Sequence, residues 1–225
     1  ADAAAGFSLG EWTAACHAGL MGLEDALRLV IQRGQWMEAC ARENPGGMSA
    51  VLRLHKDAVL ALLEGHKEVW AVNFNAPDQT VVAGPLDALE AFEATLKENG
   101  ARSLRLNVAG AFHSPLMAKA ALRLKEALAG QAFHETRVPV YGNADALPYL
   151  AERAADSLAR QLTSPVRWVD SVTNMDRAGI HTYLELGPGR VLGGLISKTI
   201  PGARTLQAPD MDGLRQAQRE IGGMA

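Results

Sequence analysis

Gly6-Phe7-Ser8-Leu9-Gly10 has the form G-x-S-x-G. Small residues on either side of a serine let the backbone turn sharply from a strand into a helix. The hydroxyl oxygen is then exposed at the helix start. The N–H of the next residue, Leu9, points at the oxyanion that develops when such a serine attacks a carbonyl. The helix N-terminus adds a favourable partial charge. A small, apolar stretch (2–7, DAAAGF) precedes the motif, and an alanine-rich segment follows from Trp12. The same five residues also suit a loop serine that caps a helix. The pentapeptide by itself admits both readings.

A nucleophilic serine needs an imidazole to take its proton during attack and return it to the leaving group. The histidines are His17, His55, His66, His113, His134 and His181. His113 is the outstanding candidate. It lies between a strand-like run and a helix opened by Pro115, and strand-end loops over a sheet are where catalytic groups collect. A structural histidine capping that helix is the alternative. His17 falls inside the helix after Ser8 and is turned away from it. His55 and His66 flank a short helix, and His134 and His181 lie in connecting segments. No histidine pair has zinc-ligand spacing, and Cys16 and Cys40 are far apart, so no metal is expected.

The elements that must position these groups alternate along the chain. Helices are expected from Trp12 and again from Leu23, the second with Leu27, Val30, Ile31 and Met37 as its apolar stripe. Asn44-Pro45-Gly46-Gly47 stops it. Strands at 48–54, 69–75, 79–84 and 102–108 enclose helices at 57–64 and 86–99. That β-α-β-β-α-β order is the split βαβ, or ferredoxin-like, pattern. Beyond it come helices at 115–129, 149–162, 166–177 and 192–199, with strands at 138–143, 182–186 and 204–206. A helix-capable tail follows from Asp212 and frays at Gly222-Gly223. The alternation implies an α/β fold whose parallel sheet is covered on both faces. We assign 1–46 and 110–225 to a large α/β domain and 47–109 to a small inserted one.

Composition sets the outer bounds. With 48% hydrophobic and 21% charged residues, the 225-residue chain suits a folded core rather than disorder. A net charge of −3 argues against a dedicated nucleic-acid binder. Two cysteines make no disulfide framework, so a reducing, cytoplasmic setting is expected. No apolar run approaches the roughly 18 residues of a membrane helix.

With Ser8 and His113 in hand, the sequence resembles the malonyl-CoA:acyl carrier protein transacylase family and the acyltransferase domains of fatty-acid and polyketide synthases. GFSLGEW (6–12), QRGQWM (32–37), NFNAPDQTVVAG (73–84), GAFHSPLM (110–117), RQLTSPVRW (160–168) and ELGPGRVLGGLI (185–196) match its motifs in order. The resemblance implies an α/β-hydrolase-like large domain with a ferredoxin-like insertion. It implies a ping-pong transfer of malonyl from coenzyme A, through a serine ester, to the phosphopantetheine thiol of an acyl carrier protein, without a cofactor.

Carried over residue by residue, Ser8 is the nucleophile and His113 the base and then acid. The backbone carbonyl of Gln161 orients the histidine, so changes to the Gln161 side chain should matter less than loss of a triad aspartate would. The Leu9 N–H serves the oxyanion, and Arg33 holds the free malonyl carboxylate. A guanidinium fits a planar carboxylate in bidentate fashion, and an acetyl group would leave that charge unpaired. A surface arginine on the second helix is the plainer alternative. Asn75 matches an asparagine near the family's site; a turn asparagine before Pro77 is its alternative. Phe112 looks like the malonyl-type residue, narrowing the pocket beside C2 of the acyl group.

Two departures stand out. Phe7 replaces a histidine common in the family. The family also opens with a strand and a Gly-Gln-Gly-Ser-Gln-like loop whose glutamine N–H completes the oxyanion hole, and roughly the first quarter to third of the usual chain does not precede Ser8 here. We therefore expect a separate or cleaved amino-terminal segment as a partner, beside the carrier protein and the coenzyme A thioester. The rival readings are a serine hydrolase or thioesterase and a non-catalytic carrier-binding subunit. The hydrolase would need an acid to orient His113.

Overall fold

In the computed structural model, which describes residues 1–222, a two-residue strand β1 (Ala4–Ala5) turns at Ser8 into helix α1 (Leu9–Ala18). The turn folds back on itself so closely that a Cβ on Gly6 would stand 1.9 Å from the carbonyl of Gly10. No side chain larger than hydrogen fits there. The Gly10 N–H donates to the Phe7 carbonyl at 2.9 Å. The helix closes at Gly19, in the left-handed conformation with φ 88°, whose N–H donates to the Cys16 carbonyl.

Helix α2 (Leu23–Glu43) carries Glu24 and Asp25 in its first turn and Arg42 in its last, as the helix dipole favours. Its inward face is Ala26, Leu29, Arg33, Met37 and Cys40. This corrects part of the expected stripe, of which Met37 is buried and Val30 packs against the core. Leu27 and Ile31 are exposed at 58% and 53%, while Arg33 is only 6% exposed. The helix carries two apolar stripes about a hundred degrees apart, and spacing alone does not choose between them. The stripe that turns inward is the one containing the arginine.

Next come β2 (Gly46–Leu52), α3 (Lys56–Leu63), β3 (Trp70–Ala76), β4 (Gln79–Pro85), α4 (Leu86–Glu98) and β5 (Arg102–Arg105). They form an antiparallel sheet ordered β3-β4-β2-β5, the connectivity expected of a ferredoxin-like element. Alternation along the strands fills both faces. Val51 and Val82 pack with Val59, Leu89, Phe92 and Leu96 of α3 and α4. Ala50 and Val81 face the other way, toward Ala111, Phe112 and Leu116. That second face supports the segment bearing His113.

A 3₁₀ turn at Pro115–Met117 leads into α5 (Ala118–Leu128), and β6 (Val140–Tyr141) pairs in parallel with β1. The expected helix over 149–162 is broken into a 3₁₀ turn (Ala151–Arg153), α6 (Ala154–Arg160) and a second 3₁₀ turn (Gln161–Thr163). Trp12, Leu29, Met37, Leu124, Leu158 and Leu162 belong to the core that joins α1, α2, α5 and α6.

All of this lies within one compact unit, Ala1–Ser171. The second, Val172–Ala225, follows as α7 (Trp168–Arg177) crosses the sequence boundary. It contains β7 (Thr182–Leu186), α8 (Val191–Thr199), β8 (Arg204–Ala208) and α9 (Met211–Gly222), with β7 and β8 parallel. The expected parallel sheet is therefore present, among the described residues, as two separate two-stranded pairs. The expected fraying at Gly223 lies outside the described residues. No helix among them is long and apolar enough to cross a membrane.

The turn at Ser8 yields a direct test. Gly6→Ala should lower unfolding free energy by at least about 3 kcal/mol, because backbone must move to admit the methyl group. Gly10→Ala, with open space around its Cβ, should stay within about 1 kcal/mol of the unsubstituted protein. Urea unfolding of the two variants checks both.

Candidate active site

Ser8 occupies an unfavourable backbone conformation, φ 50° and ψ −99°. Positive φ costs a non-glycine residue of order 1–3 kcal/mol and persists only where the surroundings impose it. Here the Ser8 N–H donates to Asn143 Oδ1 at 2.7 Å, while Asn143 Nδ2 donates to the Gly6 carbonyl at 2.7 Å. One asparagine side chain thus grips both arms of the turn. His113 also has positive φ, 60°, and is 4% exposed.

Four of the sequence-predicted residues meet at one point. Ser8 Oγ lies 2.8 Å from His113 Nε2. His113 Nδ1 lies 2.9 Å from the main-chain carbonyl of Gln161. That oxygen can only accept, so Nδ1 carries the ring proton, and Nε2 of the neutral ring is left to accept from the serine. Arg33 Nη2 donates to Ser8 Oγ at 3.0 Å and to Gln161 Oε1 at 3.0 Å.

The Gln161 carbonyl is available for a physical reason. A continuing α-helix would use it to accept from the N–H four residues on, at position 165. Residue 165 is proline and has no N–H. The tightened 3₁₀ turn instead brings only a long bond, 3.4 Å, from Ser164. The Gln161 side chain is also busier than the sequence suggests. Besides accepting from Arg33, it donates through Nε2 to the Ser8 carbonyl at 2.9 Å and to Glu11 Oε2 at 2.5 Å.

The other candidates are less directly engaged. Leu9 is the first residue of α1, with a half-exposed side chain. Phe112 is partly buried, packed between the core of the helices and the second face of the sheet. Asn75 is buried on β3, and its Oδ1 has no hydrogen-bond partner among the described residues. None of its bonds ties it to the other four.

Sequence reasoning missed Glu11, Asn143 and Tyr149. Glu11 is 1% exposed and accepts from the Asn143 N–H at 3.2 Å and from the Tyr149 hydroxyl, as well as from Gln161. An acidic residue in the first turn of a helix ordinarily serves the dipole from the surface. Only the small apolar residues on its helix face, Ala14, Ala15 and Ala18, hint that position 11 points inward.

Burial governs the electrostatics. It lowers the His113 pKa to about 4, only partly opposed by the bond to Gln161 and reinforced by the Arg33 charge. The ring is therefore neutral near pH 7, the state a general base needs. Burial also lowers the Arg33 pKa to about 10, with Glu11 opposing, and the guanidinium stays charged. Burial raises Glu11 to about 7 against the bonds from Tyr149, Gln161 and Asn143.

Residues 1–217 match the model of the acyl transferase domain. The malonyl CoA-acyl carrier protein transacylase of Bacillus subtilis (strain 168) is 35% identical over 223 residues, covering 96% of this chain and 70% of that protein. The polyketide biosynthesis protein PksE of the same organism is 39% identical over 201 residues, and the match spans 26% of its length. A solved malonyl-transacylase in complex with a type II PKS acyl-carrier protein has a TM-score of 0.93 at 34% identity, covering 97% of this chain and 72% of that one.

The two perturbed groups oppose each other in their effect on stability. His113 titrates at about 4 when folded, below its ordinary 6.5, so its contribution is full above pH 6.5 and lost as pH falls to 4. Glu11 titrates at about 7 when folded, above its ordinary 4.5, so its contribution is full below 4.5 and lost as pH rises through 7. Between 4.5 and 6.5 the folded chain keeps a proton on Glu11 and the unfolded chain keeps one on His113, and the slopes cancel. His113→Ala should expose a loss of stability of about 1 kcal/mol per pH unit as pH rises from 5 to 6. Urea unfolding at the two pH values measures it.

Proposed function

The chain belongs to the acyl transferase domain family, and we propose that it moves a malonyl group from coenzyme A to the phosphopantetheine thiol of an acyl carrier protein by way of a Ser8 ester. The observation that carries this reading is the placement of Arg33. A buried guanidinium donates directly to the oxygen of the candidate nucleophile, within reach of the far carboxylate of a short dicarboxylic acyl group esterified there. Burial makes an unpaired charge there costly, so the site favours an acyl group that brings a carboxylate of its own.

In the first half-reaction Ser8 Oγ attacks the thioester carbonyl carbon and its proton passes to His113 Nε2. The Leu9 N–H donates to the oxyanion of the tetrahedral intermediate. The C–S bond breaks, and the thiol of coenzyme A leaves with the proton from His113. In the second half, the carrier thiol gives its proton to His113 and its sulfur attacks the Ser8 ester. The C–O bond breaks, and the proton returns to Ser8 Oγ. The malonyl carboxylate, once paired with Arg33, also neutralises the charge that disfavours protonated His113. Substrate binding thereby raises the proton affinity of the base at the moment it is needed.

A neutral carbonyl, rather than a carboxylate, orients His113. This supports transfer over a hydrolase built on a charged triad. Phe112 beside the base limits branching at C2, worth about 1–3 kcal/mol for one methyl group. The carrier is of the fatty-acid or polyketide kind, and we place the reaction in the cytoplasm, which two unpaired cysteines, Cys16 and Cys40, support.

Mass spectrometry of the full-length protein mixed with malonyl-CoA should show a covalent malonyl adduct that Ser8→Ala abolishes. Adding the carrier should move the adduct to the carrier thiol faster than water removes it. Arg33→Ala should lose malonyl loading at least roughly tenfold more than acetyl loading. Equal losses for the two acyl groups would remove the carboxylate role from Arg33.

A further inference from the structure

We propose that Glu11 is a positioning residue that acts through the Gln161 side chain to set both Arg33 and His113. The inference builds on the transferase reading above. Its core is the direction of each hydrogen bond around one amide.

Arg33 can only donate, so the Gln161 oxygen must face it. The amide nitrogen then faces the Ser8 carbonyl and Glu11. Donors converge on Glu11 from three sides: Gln161 Nε2, the Asn143 N–H and the Tyr149 hydroxyl. Ionised, above its pKa of about 7, Glu11 offers acceptors on both oxygens and meets all three. A carboxamide of the same shape does not. Turned with its oxygen to Gln161, it sets its own NH₂ against the Asn143 N–H. Turned the other way, it sets NH₂ against NH₂ of Gln161. If Gln161 flips to relieve that clash, its nitrogen confronts Arg33.

The polarity of the whole row is thus anchored at Glu11, and both catalytic neighbours depend on it. Gln161 supplies the only side-chain acceptor that Arg33 has besides Ser8 Oγ among its hydrogen bonds in the described residues. The carbonyl of the same residue holds His113 Nδ1. Rotation of Gln161 therefore moves the acyl-binding charge and loosens the base together. Glu11 touches neither Ser8 Oγ nor the imidazole, so its action is indirect.

The test compares the full-length protein with Glu11→Gln and Tyr149→Phe. Loading of malonyl and of acetyl from their coenzyme A thioesters is measured per folded molecule at about pH 8, where Glu11 is ionised, beside the NMR signal of the His113 Nδ1 proton. Glu11→Gln should slow malonyl loading roughly tenfold, lower the malonyl-to-acetyl ratio severalfold, and shift or broaden the imidazole proton signal. Tyr149→Phe, which removes one donor and keeps the carboxyl group, should shift all three in the same direction by less. A merely structural role would leave the ratio and the proton signal alone. An unchanged ratio and signal in folded Glu11→Gln overturn the proposal; if that variant does not fold, the same unchanged readings in Tyr149→Phe do so. Should the unsubstituted protein fail to load malonyl at all, the transferase reading falls, and the imidazole signal still decides the role of Glu11.

Discussion

Everything at the site depends on one carbonyl oxygen that no α-helical bond consumes. The Gln161 oxygen holds His113 Nδ1, which fixes the tautomer, which leaves Nε2 bare for the serine. Pro165 keeps the oxygen available by withholding the N–H that would otherwise claim it. The proline that ends the helix and the orientation of His113 are in this sense one arrangement. Ser8 and His113, the two ends of the bond it sets up, both hold positive φ.

The second constraint is charge. Arg33 and Glu11 are both nearly inaccessible, and a neutral amide stands between them. A direct ion pair would satisfy each and leave nothing for a substrate. Separation by Gln161 keeps Arg33 solvated by oriented dipoles while its charge remains unspent. The Arg33 Nε has no hydrogen-bond partner among the described residues. Such incomplete satisfaction is unfavourable for folding and is the condition under which an incoming carboxylate binds well.

Much of this is written in local sequence. The glycines around Ser8, the Pro115 after His113 and the Ser164-Pro165 after Gln161 each act within a few residues, and they locate turn, loop and helix end. The β-α-β-β-α-β order is legible for the same reason, since alternation and stop signals are local. Two things are not legible. The inward face of α2 is one, because Leu27 and Ile31 compete with Leu29 and Met37 as an apolar stripe and only tertiary packing selects between them. The Glu11–Asn143–Tyr149 cluster is the other. Glu11 lies 132 and 138 residues from the other two in the chain, and each alone reads as something ordinary: a dipole-pairing acid, a turn asparagine, a core tyrosine.

The same distances bear on when the serine becomes reactive. Ser8 and His113 are 105 residues apart, His113 and Gln161 a further 48, and the entire four-stranded sheet lies in the first interval. Closing such loops is late work for a folding chain, because their entropy is recovered only when the surrounding core has formed. An emerging or half-folded polypeptide therefore carries an ordinary, inert serine. The hydroxyl acquires its base, its cation and its strained backbone in the same cooperative event, so nucleophilic chemistry is withheld until the chain is complete enough to control it.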